Sequence, residues 1–107
     1  MNNILKHAIK ILNQGGIIIF PTDTAFGIGC RMDNEQAIKR LFRMRKRPKT
    51  QAVPVLVSGT VMAQEYLLTI PHDVEKLMNH YWPGALTIIL PCKTKKVPTL
   101  VRGGGET

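Results

Sequence analysis

Residues 14–21 read QGGIIIFP, and the two glycines divide two different hydrophobic periods. Before them, Ile4, Leu5, Ala8, Ile11 and Leu12 recur at helical spacing. After them come four consecutive large apolar residues, 17–20, the pattern of a strand buried on both faces. Gly15 and Gly16 supply the left-handed conformation that ends a helix, so a helix must pass almost directly into a buried strand. Pro21 then breaks the strand, and Thr22, Asp23 and Thr24 follow as a turn. A chain with this beginning is constrained to a layered α/β arrangement.

The rest of the chain continues the alternation. Residues 25–30 form a second short strand in which Gly27 and Gly29 permit close approach. Asp33 with Gln36 resembles a capping box opening a helix that buries Ala37, Ile38, Leu41 and Phe42, and Pro48 stops it. Residues 53–57 are β-branched but interrupted by Pro54, as in an edge strand or bulge. Ser58 or Thr60 can cap a short helix to Leu67, and Pro71 sits in the first turn of another carrying Val74, Leu77, Met78 and Tyr81. Trp82, Pro83 and Gly84 make a turn, read here as a rigid corner with a packed indole. Residues 86–90 are again β-rich, and Gly103, Gly104 and Gly105 precede Glu106 and Thr107 in a terminal turn. The expected fold class is α/β (α+β), a twisted mixed parallel and antiparallel sheet with flanking helices.

A chain of 107 residues has room for one domain with one core. No apolar run approaches the about 20 residues of a membrane helix, and the N-terminus lacks the parts of a secretory signal. Cys30 and Cys92 lie far apart without a CxxC partner, so neither a zinc site nor a disulfide framework is indicated, and a reduced, cytoplasmic setting follows.

The net charge of +8 implies an anionic partner, and its distribution locates the contact. Lys39, Arg40, Arg43, Arg45, Lys46, Arg47 and Lys49 are seven of the fifteen basic residues, and no acidic residue falls between Gln36 and Gln64. Like charges this close repel, so an anion is expected among them. Aromatic residues for stacking on bases are missing except Phe42, whose helical phase assigns it to the core, which favours a phosphate ligand. No Walker loop or GxGxxG occurs, and His7, His72 and His80 have no ligand spacing. An enzyme of this composition works by positioning and charge neutralisation rather than with its own nucleophile.

Three motifs in order, FPTDTAFGIGC, RKRPKTQAVPVLV and HYWPGALTIILP, resemble the YrdC-like family of threonylcarbamoyl-AMP synthases, with its PT[ED]TVYGLG, KxRPxxxP and WPGPLT patterns. The resemblance runs from Gly15 to Thr107. It implies a YrdC-like fold over residues 1–107 and the condensation of L-threonine, bicarbonate and ATP, with magnesium accompanying ATP, to threonylcarbamoyl-AMP and pyrophosphate. That product feeds tRNA threonylcarbamoyladenosine modification, with tRNA-modification transferase proteins as partners. Carried over by position, Thr22 and Thr24 line the L-threonine pocket, and Arg45, Arg47, Gln51 and Thr107 contact ATP. The hydroxyls would then surface at a strand end, where α/β sheets bind ligands.

Departures from the family pattern are Arg45 for lysine, Leu56 where many members have histidine, Phe26 for tyrosine and Ala85 for proline. The family domain continues with an RxP strand and an SAN loop, so residues 1–107 correspond to its N-terminal portion, about half to two-thirds of it. Reduced activity of that portion alone is the expectation. Two other functions fit the same basic segment. One is a module for double-stranded or structured RNA, and the other is carbamoyl-adenylate handling for another acceptor, as in hydrogenase maturation.

Overall fold

The computed structural model describes residues 2–107. Contacts group the chain into two compact units, Met1–Lys49 and Thr50–Thr107.

In the first unit, helix α1 spans Asn3–Asn13. Its N-cap is Asn2, whose side chain accepts the Leu5 N–H at 2.8 Å. Gly15, at φ +81°, ends the helix as the sequence requires, and the Gly16 N–H returns to the Ile11 carbonyl at 2.8 Å. The apolar stripe of α1 is less covered than its spacing suggests: Ala8, Ile11 and Leu12 are half-buried, while Ile4 and Leu5 are exposed.

Strands β1 (Ile18–Pro21) and β2 (Phe26–Gly29) pair antiparallel, with Ile18 opposite Gly29 and Pro21 opposite Phe26. Gly27 and Gly29 do permit close approach, and the approaching group is the Phe20 ring. A Cβ on Gly27 would meet that ring at 2.7 Å and one on Gly29 at 3.1 Å.

Helix α2 (Glu35–Arg45) buries Ala37, Ile38 and Phe42, the core of this unit, with Leu41 half-buried. Its cap corrects the expected capping box. Asn34 is the N-cap and accepts the Ala37 N–H at 3.0 Å, because Asp33 is held one residue earlier by Arg31.

The second unit has α3 (Thr60–Gln64) and α4 (His72–Tyr81). Neither carries a side-chain cap, so Ser58 and Thr60 do not cap α3 as the sequence suggests. Gly59 stands at the N-cap, and the Ser58 backbone and hydroxyl approach the Met62 sulfur instead. The buried side chains are Ala63, Met78, Cys92, Val97 and Val101.

Residues 53–57 and 86–90 do not join a ladder, and β1 with β2 is the whole sheet among the described residues. What the second unit has instead are single fasteners. Leu67 bridges Cys92, the Cys92 N–H donates to the Glu106 carbonyl at 2.9 Å, and the Val53 N–H donates to the Val101 carbonyl at 3.0 Å. The mixed α/β class is as expected, and the pairing it contains here is antiparallel.

Candidate functional site

The residues proposed from sequence fall at three places. The first is the tip of the β1–β2 hairpin. The Thr22 N–H donates to the Ala25 carbonyl at 3.1 Å, and the Thr22 Oγ1 accepts the Ala25 N–H at 3.1 Å and the Thr24 N–H at 3.4 Å. The Thr22 hydroxyl also donates to the Ala25 carbonyl. Threonine closes its own turn in this way because its short side chain reaches backbone two or three residues on. Thr24 is exposed, and its hydroxyl makes no hydrogen bond among the described residues.

The second place is the C-terminal end of α2. Lys46 takes the left-handed conformation, φ 49° and ψ 39°, and the Arg47 N–H returns to the Phe42 carbonyl at 3.0 Å. This Schellman-type closure, and not Pro48, ends the helix. It sets Arg45 in the last turn and Arg47 just past it, where the helix carbonyl ends favour cations. Arg45 is exposed and Arg47 half-buried.

The basic residues of the first unit are not equivalent. Arg40 donates to the Gly15 carbonyl at 3.2 Å and so fastens the α1–β1 corner. Arg31 grips both oxygens of Asp33, at 2.8 and 2.6 Å, and reaches the Asn13 side chain. That hydrogen bond and the nearby guanidinium hold the Asp33 carboxyl below its ordinary range. Burial pushes the half-buried Cys30 thiol up, with the Arg40 charge opposing it.

The third place is in the second unit. Gln51 is exposed in a bend whose neighbours are pressed by Gly103. A Cβ on Gly103 would lie 2.7 Å from the Ala52 nitrogen and 2.8 Å from the Thr50 oxygen, and its φ of +61° also favours glycine. Thr107 is exposed and follows Glu106, whose carbonyl is fastened to Cys92.

One organiser was not singled out from sequence. Arg102 donates to the Val97 carbonyl at 2.9 Å, to the Thr99 hydroxyl at 3.1 Å and to the Gly105 carbonyl, folding the loop that leads to Thr107. The signal available was an arginine beside three glycines, whose bare carbonyls need donors. Trp82 matches its structural reading, since its indole N–H donates to the Leu86 carbonyl at 2.9 Å across the turn. His7, His72 and His80 are exposed.

A hydroxyl-tipped antiparallel hairpin joined to an arginine-ended helix, with a glycine-rich loop in the second unit, defines a mixed α/β fold of the YrdC-like kind. A family model described as telomere recombination, Sua5/YciO/YrdC, matches residues 10–107. The chain belongs to this family.

It is 32% identical over 103 residues to a threonylcarbamoyl-AMP synthase of Halorhodospira halophila, covering 96% of this chain and 53% of that protein. A Bacillus subtilis protein of the same name is 31% identical over 103 residues, covering 96% of this chain and 30% of its own length. Among solved structures, P. abyssi Sua5 complexed with L-threonine is similar with a TM-score of 0.90 and 29% identity, over 95% of this chain and 30% of that one. E. coli YciO is similar at a TM-score of 0.76 and 26% identity, over 92% and 47%. The chain thus spans about half the length of the shorter relatives and less than a third of the longer.

Proposed function

We propose that this chain carries the L-threonine and ATP contacts of a threonylcarbamoyl-AMP synthase, serving condensation of L-threonine, bicarbonate and ATP for tRNA threonylcarbamoyladenosine modification. The observation that carries the reading is the likeness, at a TM-score of 0.90 over 95% of the chain, to a Sua5 structure complexed with L-threonine. The hairpin tip with Thr22 and Thr24 serves the amino acid, and Arg45 and Arg47 at the end of α2 serve the phosphates. Gln51 and Thr107 serve the nucleotide from the second unit. Charge-assisted contacts from arginine suit a polyphosphate, whose charge they offset without a nucleophile.

Magnesium would come with ATP, whose phosphate oxygens are the ligands it ordinarily takes. In the cell the product passes to tRNA-modification transferase proteins, and the setting is cytoplasmic.

The test is isothermal titration of ATP and of L-threonine into the 107-residue chain and its Arg47→Ala variant. Loss of one charge-assisted contact weakens ATP binding by about 1.5–3 kcal/mol. Unchanged ATP affinity removes Arg47 from the site.

A second reading, binding of structured RNA, is favoured by the exposure of Lys39 and Arg43 on the side of α2 away from Ala37, Ile38 and Phe42, and of Lys46 at its C-cap. Salt-sensitive RNA binding that ATP does not displace would support it.

A further inference from the structure

Residues 86–90 have the side-chain alternation of a strand and none of its backbone partners. Leu86, Ile88 and Leu90 are half-buried while Thr87 and Ile89 are exposed, a period of two. The segment is tied at both ends. The Trp82 indole N–H donates to the Leu86 carbonyl at 2.9 Å, and the Leu68 N–H donates to the Pro91 carbonyl at 3.2 Å. Between those ties, the backbone N–H and C=O groups of Thr87, Ile88, Ile89 and Leu90 make no hydrogen bond among the described residues. Ile89 is 77% exposed. Bare backbone groups beside exposed apolar side chains are what a strand edge offers to another strand.

We propose that residues 86–90 are a docking edge for a β-strand, carried by a polypeptide that corresponds to the part of the shorter family members this chain does not span. Main-chain hydrogen bonds supply the affinity, and an apolar, β-branched side chain packed against Ile89 supplies selectivity. Two observations choose this occupant. The first is chemical: four consecutive residues offer both donors and acceptors, which another strand satisfies, whereas a phosphate backbone has no donor for the carbonyls. The second is length. The match takes in 96% of this chain but 53% of the Halorhodospira halophila protein, and 92% of this chain but 47% of E. coli YciO, so about half of each lies outside it. The inference rests on family membership and not on the assignment of L-threonine or ATP contacts.

The experiment compares the 107-residue chain alone with the same chain co-expressed with the portion of the Halorhodospira halophila protein outside the matched 103 residues. Co-purification reports association, and residue-resolved amide exchange reports where it occurs. In the chain alone, the amides of residues 87–90 should exchange near the rate of an unstructured chain. In the complex, exchange should slow about tenfold or more at Thr87 and Ile89, or at Ile88 and Leu90, because alternate N–H groups of a strand face the same edge. Ile89→Lys should weaken the complex about tenfold, since a lysine on an edge opposes pairing. The melting temperature of the chain alone should hold in that variant, because Ile89 is exposed. Failure to associate overturns the proposal, as does association that leaves the four amides fast. Slow exchange in the chain alone at every concentration would show these backbone groups already paired, and would overturn it too. Slowing that grows with the concentration of the chain alone assigns the edge to a second copy and overturns the partner named here. None of these readouts needs ATP or L-threonine, so failed titrations of those ligands would leave the result standing.

Discussion

The two units are built by different means. In Met1–Lys49 both helices have eleven residues and a side-chain N-cap, from Asn2 and Asn34, and both end in a left-handed residue, Gly15 and Lys46. The strand ladder lies there too, closed by a turn that Thr22 ties internally. In Thr50–Thr107 the helices lack side-chain caps, and the chain is fastened at isolated points far apart in sequence, Val53 to Val101, Leu67 to Cys92 and Cys92 to Glu106. The first unit adds capped helices and a strand ladder to its longer-range ties, and the second rests more on closing long loops. Local order should therefore be robust in the first unit and depend on a few distant contacts in the second.

The sharpest way to break this contrast is to remove one core side chain from each unit. Phe42→Ala is expected to cost about 3–5 kcal/mol and Met78→Ala about 2–5 kcal/mol, since both side chains are nearly fully buried. Denaturant unfolding measures the totals, and residue-resolved amide exchange shows where protection is lost. Each variant is expected to loosen chiefly its own unit. Equal loosening of Cys92 and Val101 by Phe42→Ala would show that the division does not govern stability.

Two backbone substitutions of opposite sign sharpen it further. Gly103→Ala forces a Cβ to within 2.7 Å of the Ala52 nitrogen at φ +61°. The conformational term alone is about 1–2 kcal/mol, and neither neighbour is a flexible side chain able to give way. Loss of the Val53–Val101 hydrogen bond, seen as faster exchange at the Val53 amide, is the expected readout. Lys46→Gly relieves the left-handed strain at φ 49° and should raise thermal stability by up to about 1 kcal/mol. A fall in melting temperature would mean that the lysine side chain contributes more than its backbone costs.

The same division explains what the sequence made legible. The α1 stop at Gly15, the hairpin turn after Pro21 and the buried stripe of α2 depend on neighbours within a few residues, and the residue types alone carry them. Residues 53–57 and 86–90 show the β-branched composition of strands without a ladder, because strand preference measures fit to a paired surface and not an intrinsic backbone state. For the candidate site, the motif singled out both threonines and both arginines as candidates. It could not show that the Thr22 hydroxyl is already committed, because that depends on where Ala25 folds back. Nor could it show that Arg40 serves the Gly15 carbonyl.

Helix capping separates two adjacent residues that sequence patterns confuse. Asn34→Ala removes the bond to the Ala37 N–H and should lower stability by about 1 kcal/mol. Thermal melts of this variant beside Asp33→Ala decide which residue caps α2. A larger loss at Asp33 would restore the capping box expected from Asp33 and Gln36.

The smallest effect belongs to Asp33 itself, and it is recognised by its pH dependence more than by its size. The Arg31 hydrogen bond lowers the folded-state pKa of this largely exposed carboxyl. A group with a depressed folded pKa stabilises the fold above its unfolded pKa, near 4 for aspartate, and loses that contribution as pH falls through the lower, folded value. The difference in melting temperature between the parent and Asp33→Asn should therefore be present at neutral pH, shrink below about pH 4 and close in stronger acid. Because the pair is solvated, the same difference should also diminish in high salt. A gap that persists unchanged at low pH would trace the effect to the shape of the turn joining β2 to α2 rather than to the charge on Asp33.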